Sequence, residues 1–480
     1  MTGEWENEGS GFQEDAEDEF PLEEAGSALS DRPYESIPIQ TIDGQYYLVL
    51  SGENPGSIVP IASDSSNKTN RTAPHIRNES QIFDSDLPLM LLNLTGRTVD
   101  QGNELLSRLH AEYGEHLNLG VCASLARHNK SKINKAFDCS VATVKIADPE
   151  AFLVDHASLV LEGDNPTDFT NPDTALKVER RVAARSRRAA YFEMERSGIE
   201  WIKAILEAQR EVGANVFLTS GKSLRSSDFR QSLDEIIAEG NDAIECLEPG
   251  ERLALNLTIP LDCILNETFF NEILNELLEH DEFDTWYIRT QWRPDRESNQ
   301  LKDATILHRY KRLSELAEDE EKILILAQTG WVGWNFLGHG ATGFSTGPSQ
   351  NAQKFQQYAI TRRRKGVGQN ERFFEKSLLN VVDGSMHASL RNESDYVSCE
   401  CRWCDEIDSS PLFSHIAASW HEVYCQGALS AEIQRSAELR RGGRRSYLRR
   451  TIDSALLFAQ GKGLVGRENP TFLRTWRDLI

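Results

Sequence analysis

The chain has 480 residues, of which 39% are hydrophobic and 26% are charged, and its formal net charge is −23. This size fits one large domain with extensions, or two to three domains. No apolar run approaches 18 residues, which excludes a membrane span, and the negative charge disfavours non-specific nucleic-acid binding by the whole surface.

The chain begins with an acidic tail. Residues 1–25 hold ten Asp or Glu and no Lys or Arg, so we predict that segment 1–33 is disordered. The tail lacks the basic and apolar regions of a secretion signal, and we therefore predict a cytoplasmic protein. Segment 34–85 is predicted to be a small extension and linker, with a β-hairpin at Asp43-Gly44.

Residues 86–365 alternate between short apolar runs and segments with helical spacing of apolar residues. Eight runs are predicted strands, at residues 87–94, 117–123, 141–147, 216–219, 253–259, 286–291, 323–327 and 341–345. Eight strands separated by helices predict an α/β fold, a (β/α)8 TIM-like barrel. A doubly wound open sheet gives the same alternation and is the alternative.

Polar residues at the strand ends are candidate site residues, because the active site of such a barrel lies at the C-terminal ends of its strands. The predicted catalytic residues are Lys145, Asp148, Arg289 and Gln291. The predicted ligand-binding residues here are Asn93, Asn256 and Gln328. The structural alternative is that these side chains point outward or close salt bridges, and that Asp148 before Pro149 only ends a strand.

The turns after the last two predicted strands are rich in small residues. Gly330, Thr346 and Gly347 are predicted to bind a phosphate-bearing ligand, such as a flavin, through backbone N–H groups. The alternative is that the glycines only permit tight closure of the barrel.

Three cysteines lie close together beyond the barrel. They are Cys399, Cys401 and Cys404. Without a secretion signal this spacing indicates metal binding before disulfide formation. We predict a structural zinc site completed by His421, with His415 and Cys425 as alternative fourth ligands. Residues 366–480 are therefore predicted to form a small zinc-binding, helical subdomain.

Residues 435–450 contain seven Arg and one Glu. Contact with a tRNA or DNA backbone is predicted for Arg440, Arg441, Arg444 and Arg445. The alternative is that this helix pairs with the acidic tail or with acidic faces of the protein.

An α/β barrel pattern followed by Cys-x-Cys-x-x-Cys resembles the tRNA-guanine transglycosylase superfamily, which includes relatives that place deazaguanine bases in DNA. The resemblance covers residues 86–425. It implies that the barrel binds the base and that a zinc subdomain with three cysteines and one histidine helps to hold the nucleic acid. We therefore expect a transglycosylase-like protein that acts on, or binds, a (deaza)guanine base in tRNA or DNA.

Two family aspartates are replaced in this chain. The family has an Asp followed by glycines after an early strand, where this chain has Asn93-Leu94-Thr95-Gly96. The family nucleophile is an Asp after a late strand, where residues 343–347 are GFSTG. Two alternatives follow: a barrel enzyme that uses a phosphate-bearing ligand or flavin, and a non-catalytic nucleic-acid-binding subunit with protein partners.

Overall fold

The computed structural model describes residues 39–42, 45–49, 58–60, 87–94, 98–152, 191, 194–292, 302–355, 371–410, 413–439 and 443–480. The chain divides into two compact units, Met1–Ile76 and Arg77–Ile480. The predicted acidic tail lies outside the described residues.

The first unit contains a three-stranded antiparallel sheet. Its strands are β1 (Ile39–Ile42), β2 (Gln45–Val49) and β3 (Ile58–Pro60). Ile42 pairs with Gln45, so β1 and β2 flank the Asp43-Gly44 pair at which the sequence predicts a hairpin.

The second unit contains an eight-stranded parallel sheet. Its strands are β4 (Leu89–Asn93), β5 (Asn118–Ser124), β6 (Val144–Asp148), β7 (Phe217–Leu218), β8 (Leu253–Ile259), β9 (Thr285–Thr290), β10 (Ile323–Leu326) and β11 (Gly343–Thr346). The order across the sheet is β6-β5-β4-β11-β10-β9-β8-β7. A parallel bridge between Ile146 and Val216 joins the two end strands. The sheet is therefore a nearly closed barrel, which confirms the TIM-like prediction over the open sheet.

Helices follow the barrel strands. They are α1 (Val99–Tyr113), α2 (Lys130–Phe137), α3 (Ile199–Arg210), α4 (Phe229–Glu245), α5 (Leu261–Leu265), α6 (Glu267–Glu279), α7 (Ala304–Asp319) and α8 (Trp331–Phe336). Asn266 caps α6 by accepting from the Thr268 N–H at 3.0 Å, and Asp303 caps α7 by accepting from the Thr305 N–H at 3.0 Å. Such caps satisfy backbone donors that a helix leaves free at its N-terminus.

Side-chain alternation along the strands separates the inside of the barrel from its outside. Residues two apart in a strand share a face. Leu89, Val144, Ile146, Tyr287 and Ile325 belong to one buried cluster inside the barrel. The same alternation continues toward the C-terminal ends of the strands. There the inward-facing side chains are polar, and they lie at the mouth of the barrel.

A helical region follows the barrel. Its helices are α9 (Gln350–Gln353), α10 (Gly384–Leu390), α11 (Arg402–Ser409), α12 (His415–Leu439), α13 (Gly443–Phe458) and α14 (Phe472–Leu479). An antiparallel hairpin of β12 (Arg372–Glu375) and β13 (Asn380–Asp383) precedes most of them. Helix α12 packs on α1, where Trp420 Nε1 donates to Gln101 Oε1 at 2.8 Å. Among the described residues, no helix combines the length and apolar character that a membrane span requires.

Candidate functional site

The three clustered cysteines meet one histidine in the C-terminal region. The ligand atoms of Cys399, Cys401, Cys404 and His421 all lie within 4.8 Å of one another. Cys401 precedes α11 as its N-cap residue, Cys404 lies in its first turn, and α12 carries His421. Because the cysteines are near in sequence and α12 packs beside α11, the four ligands converge. The cluster can hold a metal ion.

The orientation of the histidine ring suits a metal ligand. His421 Nδ1 lies 3.2 Å from Cys401 Sγ and 3.3 Å from Cys404 Sγ, and Nε2 lies 2.9 Å from the carbonyl oxygen of Phe374. Nε2 is therefore the natural donor to the carbonyl, which leaves Nδ1 free to coordinate. The ring of Phe373 stacks on the His421 ring with centroids 4.5 Å apart.

The four-atom cluster includes His421 and neither alternative fourth ligand, His415 nor Cys425. Cys425 Sγ lies 3.8 Å from His421 Nδ1 but is not part of the cluster. Hydrogen bonds with Cys401 and Cys404 lower the pKa of the Cys399 thiol. A thiolate is the form of cysteine that binds metal.

A second polar cluster lies at the mouth of the barrel. Asp148, at the end of β6, forms an ion pair with Arg289 of β9, and both side chains are buried. Arg289 Nη1 lies 3.2 Å from the Thr258 hydroxyl oxygen, which can accept its hydrogen bond. Asn256 Nδ2 lies 3.4 Å from Asp148 Oδ1 and 3.3 Å from the Thr219 carbonyl oxygen. The barrel thus brings together residues that are more than 100 positions apart in the sequence.

Two buried polar atoms of this cluster lack a hydrogen-bond partner among the described residues. They are Asn256 Oδ1 and Arg289 Nε. The Asn256 amide cannot gain by flipping, because two acceptors already face its nitrogen. An unpaired buried donor or acceptor costs about 1–3 kcal/mol. Within the described part of the chain, the buried cluster at the mouth therefore contains one unpaired acceptor and one unpaired donor.

Aromatic rings surround the Arg289 guanidinium. Its central carbon lies 4.6 Å from the ring centroid of Phe152, 5.5 Å from that of Phe355 and 5.7 Å from that of Tyr287. Phe152 and Phe355 meet edge to face with centroids 5.1 Å apart. Rings around a guanidinium attract it and exclude water from the ion pair.

Sequence reasoning missed Glu150, which is buried beside the ion pair. Its Oε2 accepts from the Ser124 hydroxyl at 2.5 Å and from Arg127 Nε at 2.7 Å, and its backbone N–H donates to Asp148 Oδ1 at 3.0 Å. Its φ of +50° is unusual for a residue with a side chain. In the sequence, a glutamate directly after Asp-Pro suggests an exposed turn. The one signal that could have indicated Glu150 is its position two residues after Asp148.

The two carboxylates of the mouth differ in acidity. Burial raises the pKa of Asp148 and the charge of Glu150 raises it further, although Arg289 opposes both effects. Burial would also raise the pKa of Glu150, but Arg127, Arg289 and the Ser124 hydroxyl together lower it below its usual value. Glu150 therefore holds its negative charge more firmly than Asp148 does.

Asn93 and Thr346 tie the last strand to its surroundings. Asn93 Nδ2 donates to Ser345 Oγ at 3.1 Å and to the Ala352 carbonyl oxygen at 3.0 Å. The Thr346 hydroxyl donates to Gln426 Oε1 of α12 at 2.5 Å. The Thr346 contact connects β11 to α12, the helix that carries His421. The ligand-binding role of Asn93 and Thr346 stays a prediction.

The glycines predicted to cradle a phosphate are closely packed. The Gly330 N–H donates to the Ser345 carbonyl oxygen at 3.2 Å. A Cβ atom at Gly347 would lie 2.7 Å from Ala352 Cβ and 2.9 Å from the Asn93 carbonyl oxygen. These close contacts explain by packing alone why residue 347 is a glycine. Phosphate binding by the glycines stays a prediction.

The remaining predicted residues lie outside the ion-pair cluster. Lys145 is half-buried and, by alternation, lies on the outer face of β6, opposite to Asp148. Gln291 Oε1 accepts from the Leu261 N–H at 3.0 Å and so fixes the start of α5. The backbone N–H of Gln328 donates to Ser345 Oγ at 2.6 Å. The structure thus brings together Asp148, Asn256 and Arg289, and it does not bring Lys145 to them.

The predicted nucleic-acid-binding arginines have different surroundings. Outside the described residues lie Arg440 and Arg441. Arg444 Nη2 donates to Gln434 Oε1 at 3.0 Å. Arg445 Nε donates to the Gly338 carbonyl oxygen at 3.3 Å, and Nη2 pairs with Glu315 at 3.2 Å. Arg445 therefore anchors α13 to the barrel. Arg449 and Arg450 of the same helix are also exposed.

The fold and the clusters define an α/β barrel protein with a candidate Cys3His metal centre. Neither a protein-family model nor a curated protein matches the chain. The interpretation of its function therefore depends on the geometry of the two clusters.

Proposed function

We propose that this protein is transglycosylase-like and binds a guanine or deazaguanine base of tRNA or DNA at the mouth of its barrel. The observation that carries this proposal is the buried cluster of Asp148, Asn256 and Arg289, with Asn256 Oδ1 and Arg289 Nε left unpaired among the described residues.

The free atoms complement the edge of a guanine. Guanine offers N–H donors beside its O6 and N7 acceptors. Asn256 Oδ1 suits a ring or amino N–H, and Arg289 Nε suits an acceptor such as O6. Phe152 and Phe355 provide the rings on which a base can stack once it leaves the helix or loop.

The residues of β11, the last strand of the barrel, support base binding rather than covalent base exchange. Exchange through a glycosyl-enzyme intermediate needs a nucleophile, and the resemblance expects an Asp in the stretch where this chain has Ser345 and Thr346. The Ser345 hydroxyl already accepts from Asn93 Nδ2 at 3.1 Å and from the Gln328 N–H at 2.6 Å. These contacts occupy its lone pairs, so they support the version of the proposal in which the protein is a non-catalytic binding subunit.

The C-terminal region completes the proposal. Three thiolates and one imidazole suit a structural zinc ion with no open position. The exposed Arg449 and Arg450 of α13 support contact with a nucleic-acid backbone. The cytoplasmic location stays a prediction.

Guanine binding by the full chain tests the proposal. Isothermal titration calorimetry of the protein with guanine is expected to show one binding site. Asn256→Leu is expected to weaken binding at least tenfold, because it removes the side-chain amide and with it the unpaired acceptor. Lys135→Gln, on the outside of α2, is the control and should bind as the original protein does. Failure of the original protein to bind guanine or a guanine-containing RNA or DNA would contradict the proposal.

A further inference from the structure

We propose that Glu150 is a positioning residue of the mouth cluster. Its carboxylate, clamped by Arg127 and Ser124, fixes the Asp148–Arg289 pair against which a ligand binds. The inference concerns the same site as the proposed function, but its central measurement needs no ligand.

The clamp reaches from the surface to the barrel interior. The Arg127 side chain is 35% exposed, whereas that of Glu150 is 5% exposed. Arg127 Nε at 2.7 Å and the Ser124 hydroxyl at 2.5 Å both donate to the same oxygen, Glu150 Oε2. Two donors on one carboxylate oxygen leave the side chain little freedom.

The backbone of Glu150 acts on Asp148 directly. Its N–H donates to Asp148 Oδ1 at 3.0 Å, so that oxygen is held while Oδ2 pairs with Arg289. The φ of +50° at Glu150 makes this turn possible. A residue with a side chain rarely adopts that conformation, and surrounding contacts must hold it there. The Arg127 and Ser124 hydrogen bonds are such contacts.

Charges around the clamp are arranged as a chain of alternating sign. Arg127, Glu150, Arg289 and Asp148 alternate between cation and anion. Among the described residues, the titratable groups that interact with these carboxylates include Tyr191, Tyr287 and Cys122. Burial raises the pKa of all three, so they stay neutral near pH 7. Within this set of groups, the charges are therefore those of the two carboxylates and the two arginines.

A change at Glu150 thus alters Asp148 through charge. Glu150 is an anion beside Asp148, and it contributes to the raised pKa of Asp148. Glu150→Gln removes this anion but keeps the backbone N–H and nearly the same side-chain shape. Asp148 should then lose its proton at a lower pH, with a midpoint about one pH unit lower.

Infrared difference spectroscopy of the full-length protein measures that midpoint. The band of the protonated Asp148 carboxyl is assigned by its loss in Asp148→Asn. We expect the midpoint to fall in Glu150→Gln and to stay in Glu115→Gln, an exposed glutamate of the same type. A midpoint that does not move in Glu150→Gln overturns the inference.

Arg127→Gln gives a second route if Glu150→Gln does not fold. Arg127 is partly exposed, and it lowers the pKa of Glu150. Its removal should raise the titration midpoint of the Glu150 carboxyl, whose band is recognised because Glu150→Asp shifts it. An unchanged Glu150 midpoint overturns the clamp.

The pH profile of guanine binding separates this inference from the proposed function. If Glu150 positions the binding pair, the midpoint of the profile shifts in Glu150→Gln by the amount seen in the infrared titration. If the original protein binds no guanine, the proposed function fails, whereas the infrared result still decides whether Glu150 controls Asp148.

Discussion

The Cys3His cluster and the mouth cluster are both buried and polar, but they differ in how they are assembled. Three of the four cysteine and histidine ligands lie within six residues, and the fourth lies on the next helix, α12. The ion pair at the mouth joins Asp148 and Arg289 across 141 positions. One site is built mainly by local sequence and the other by closure of the barrel.

The two clusters also differ in what they leave unpaired. Four ligands around one point match the full coordination of structural zinc. At the mouth, Asn256 Oδ1 and Arg289 Nε have no partner within the part of the chain that the structure describes. The first arrangement suits a structural role, whereas the second suits a ligand.

Loss of the metal should have the largest effect. We expect about one zinc ion per chain by elemental analysis, and Cys404→Ser should abolish it. The binding free energy of structural zinc is about 10–16 kcal/mol in small zinc-finger peptides, so the C-terminal region should lose cooperative unfolding, as measured by calorimetry. Cys246→Ser, a half-buried cysteine outside the cluster, is the matched control and should keep the metal.

Cys425→Ser refines the same experiment. Because the cluster includes His421 and excludes Cys425, this variant should retain zinc, whereas His421→Ala should lose it. Loss of zinc from Cys425→Ser alone would assign the fourth ligand to Cys425 and contradict the geometry.

Breaking the ion pair at the mouth should have the next largest effect. Asp148→Asn removes the ion-pair partner of the buried Arg289, and removing one partner of a buried pair costs about 3–5 kcal/mol. Urea unfolding at pH 7 measures the change. Lys135→Gln breaks an exposed pair with Asp100 at 2.8 Å and should cost less than about 1 kcal/mol. Equal effects of the two variants would mean that the mouth pair is not buried as described.

The difference between local assembly and assembly by barrel closure also explains how much of the structure could be predicted from the sequence. The strand positions followed from apolar runs, and the cysteine spacing was local, so the barrel and the four members of the candidate metal cluster were predicted. The partners of the polar strand residues depend on which strands become neighbours and on which face each side chain takes. Lys145 and Asp148 lie on one strand with opposite parity, and a shift of one residue in the assumed alternation exchanges their roles.

Glu150 shows a second limit. Its role depends on a positive φ and on Arg127, which follows a different strand. Neither feature leaves a pattern in a single sequence, because Glu in a turn is common. Contacts formed by irregular backbone were therefore the part of the site that sequence reasoning could not supply.

Within the described ranges, buried polar atoms without a hydrogen-bond partner also occur away from the mouth. They allow a test of whether such atoms always indicate a ligand-binding site. Both ring nitrogens of buried His339 lack a hydrogen-bond partner among the described residues, and burial lowers its pKa to about 3. The ring stays neutral in the folded protein, while it gains a proton in the unfolded chain below about pH 6.5. Stability should therefore fall as the pH decreases from about 6.5 to 3, by about 3 kcal/mol near pH 4.

His339→Phe should remove this part of the pH dependence. The variant should gain stability relative to the original protein as the pH decreases, as measured by urea unfolding at a series of pH values. His308→Phe, which replaces an exposed histidine on α7, is the control substitution. An unchanged slope in His339→Phe would indicate that the ring finds a partner in solution, as a ligand-binding residue would.

Two glycines with nearly the same backbone conformation provide the most local test of the mouth. Gly221 has φ +75° and Gly213 has φ +78°, so alanine at either position adopts an unfavourable left-handed conformation at a cost of about 1–2 kcal/mol. A Cβ atom at Gly213 meets nothing within 4 Å, whereas one at Gly221 would lie 2.4 Å from Asn256 Nδ2.

The difference between Gly221→Ala and Gly213→Ala therefore isolates the displacement of Asn256. Two acceptors hold that amide, from Asp148 and Thr219, and it cannot move without losing them. We expect Gly221→Ala to be less stable than Gly213→Ala by roughly 1–3 kcal/mol in urea unfolding, the usual range for overpacking. Only Gly221→Ala should also weaken guanine binding. If the two variants were equally stable but Gly221→Ala bound guanine more weakly, Asn256 would move easily and the ligand would set its position.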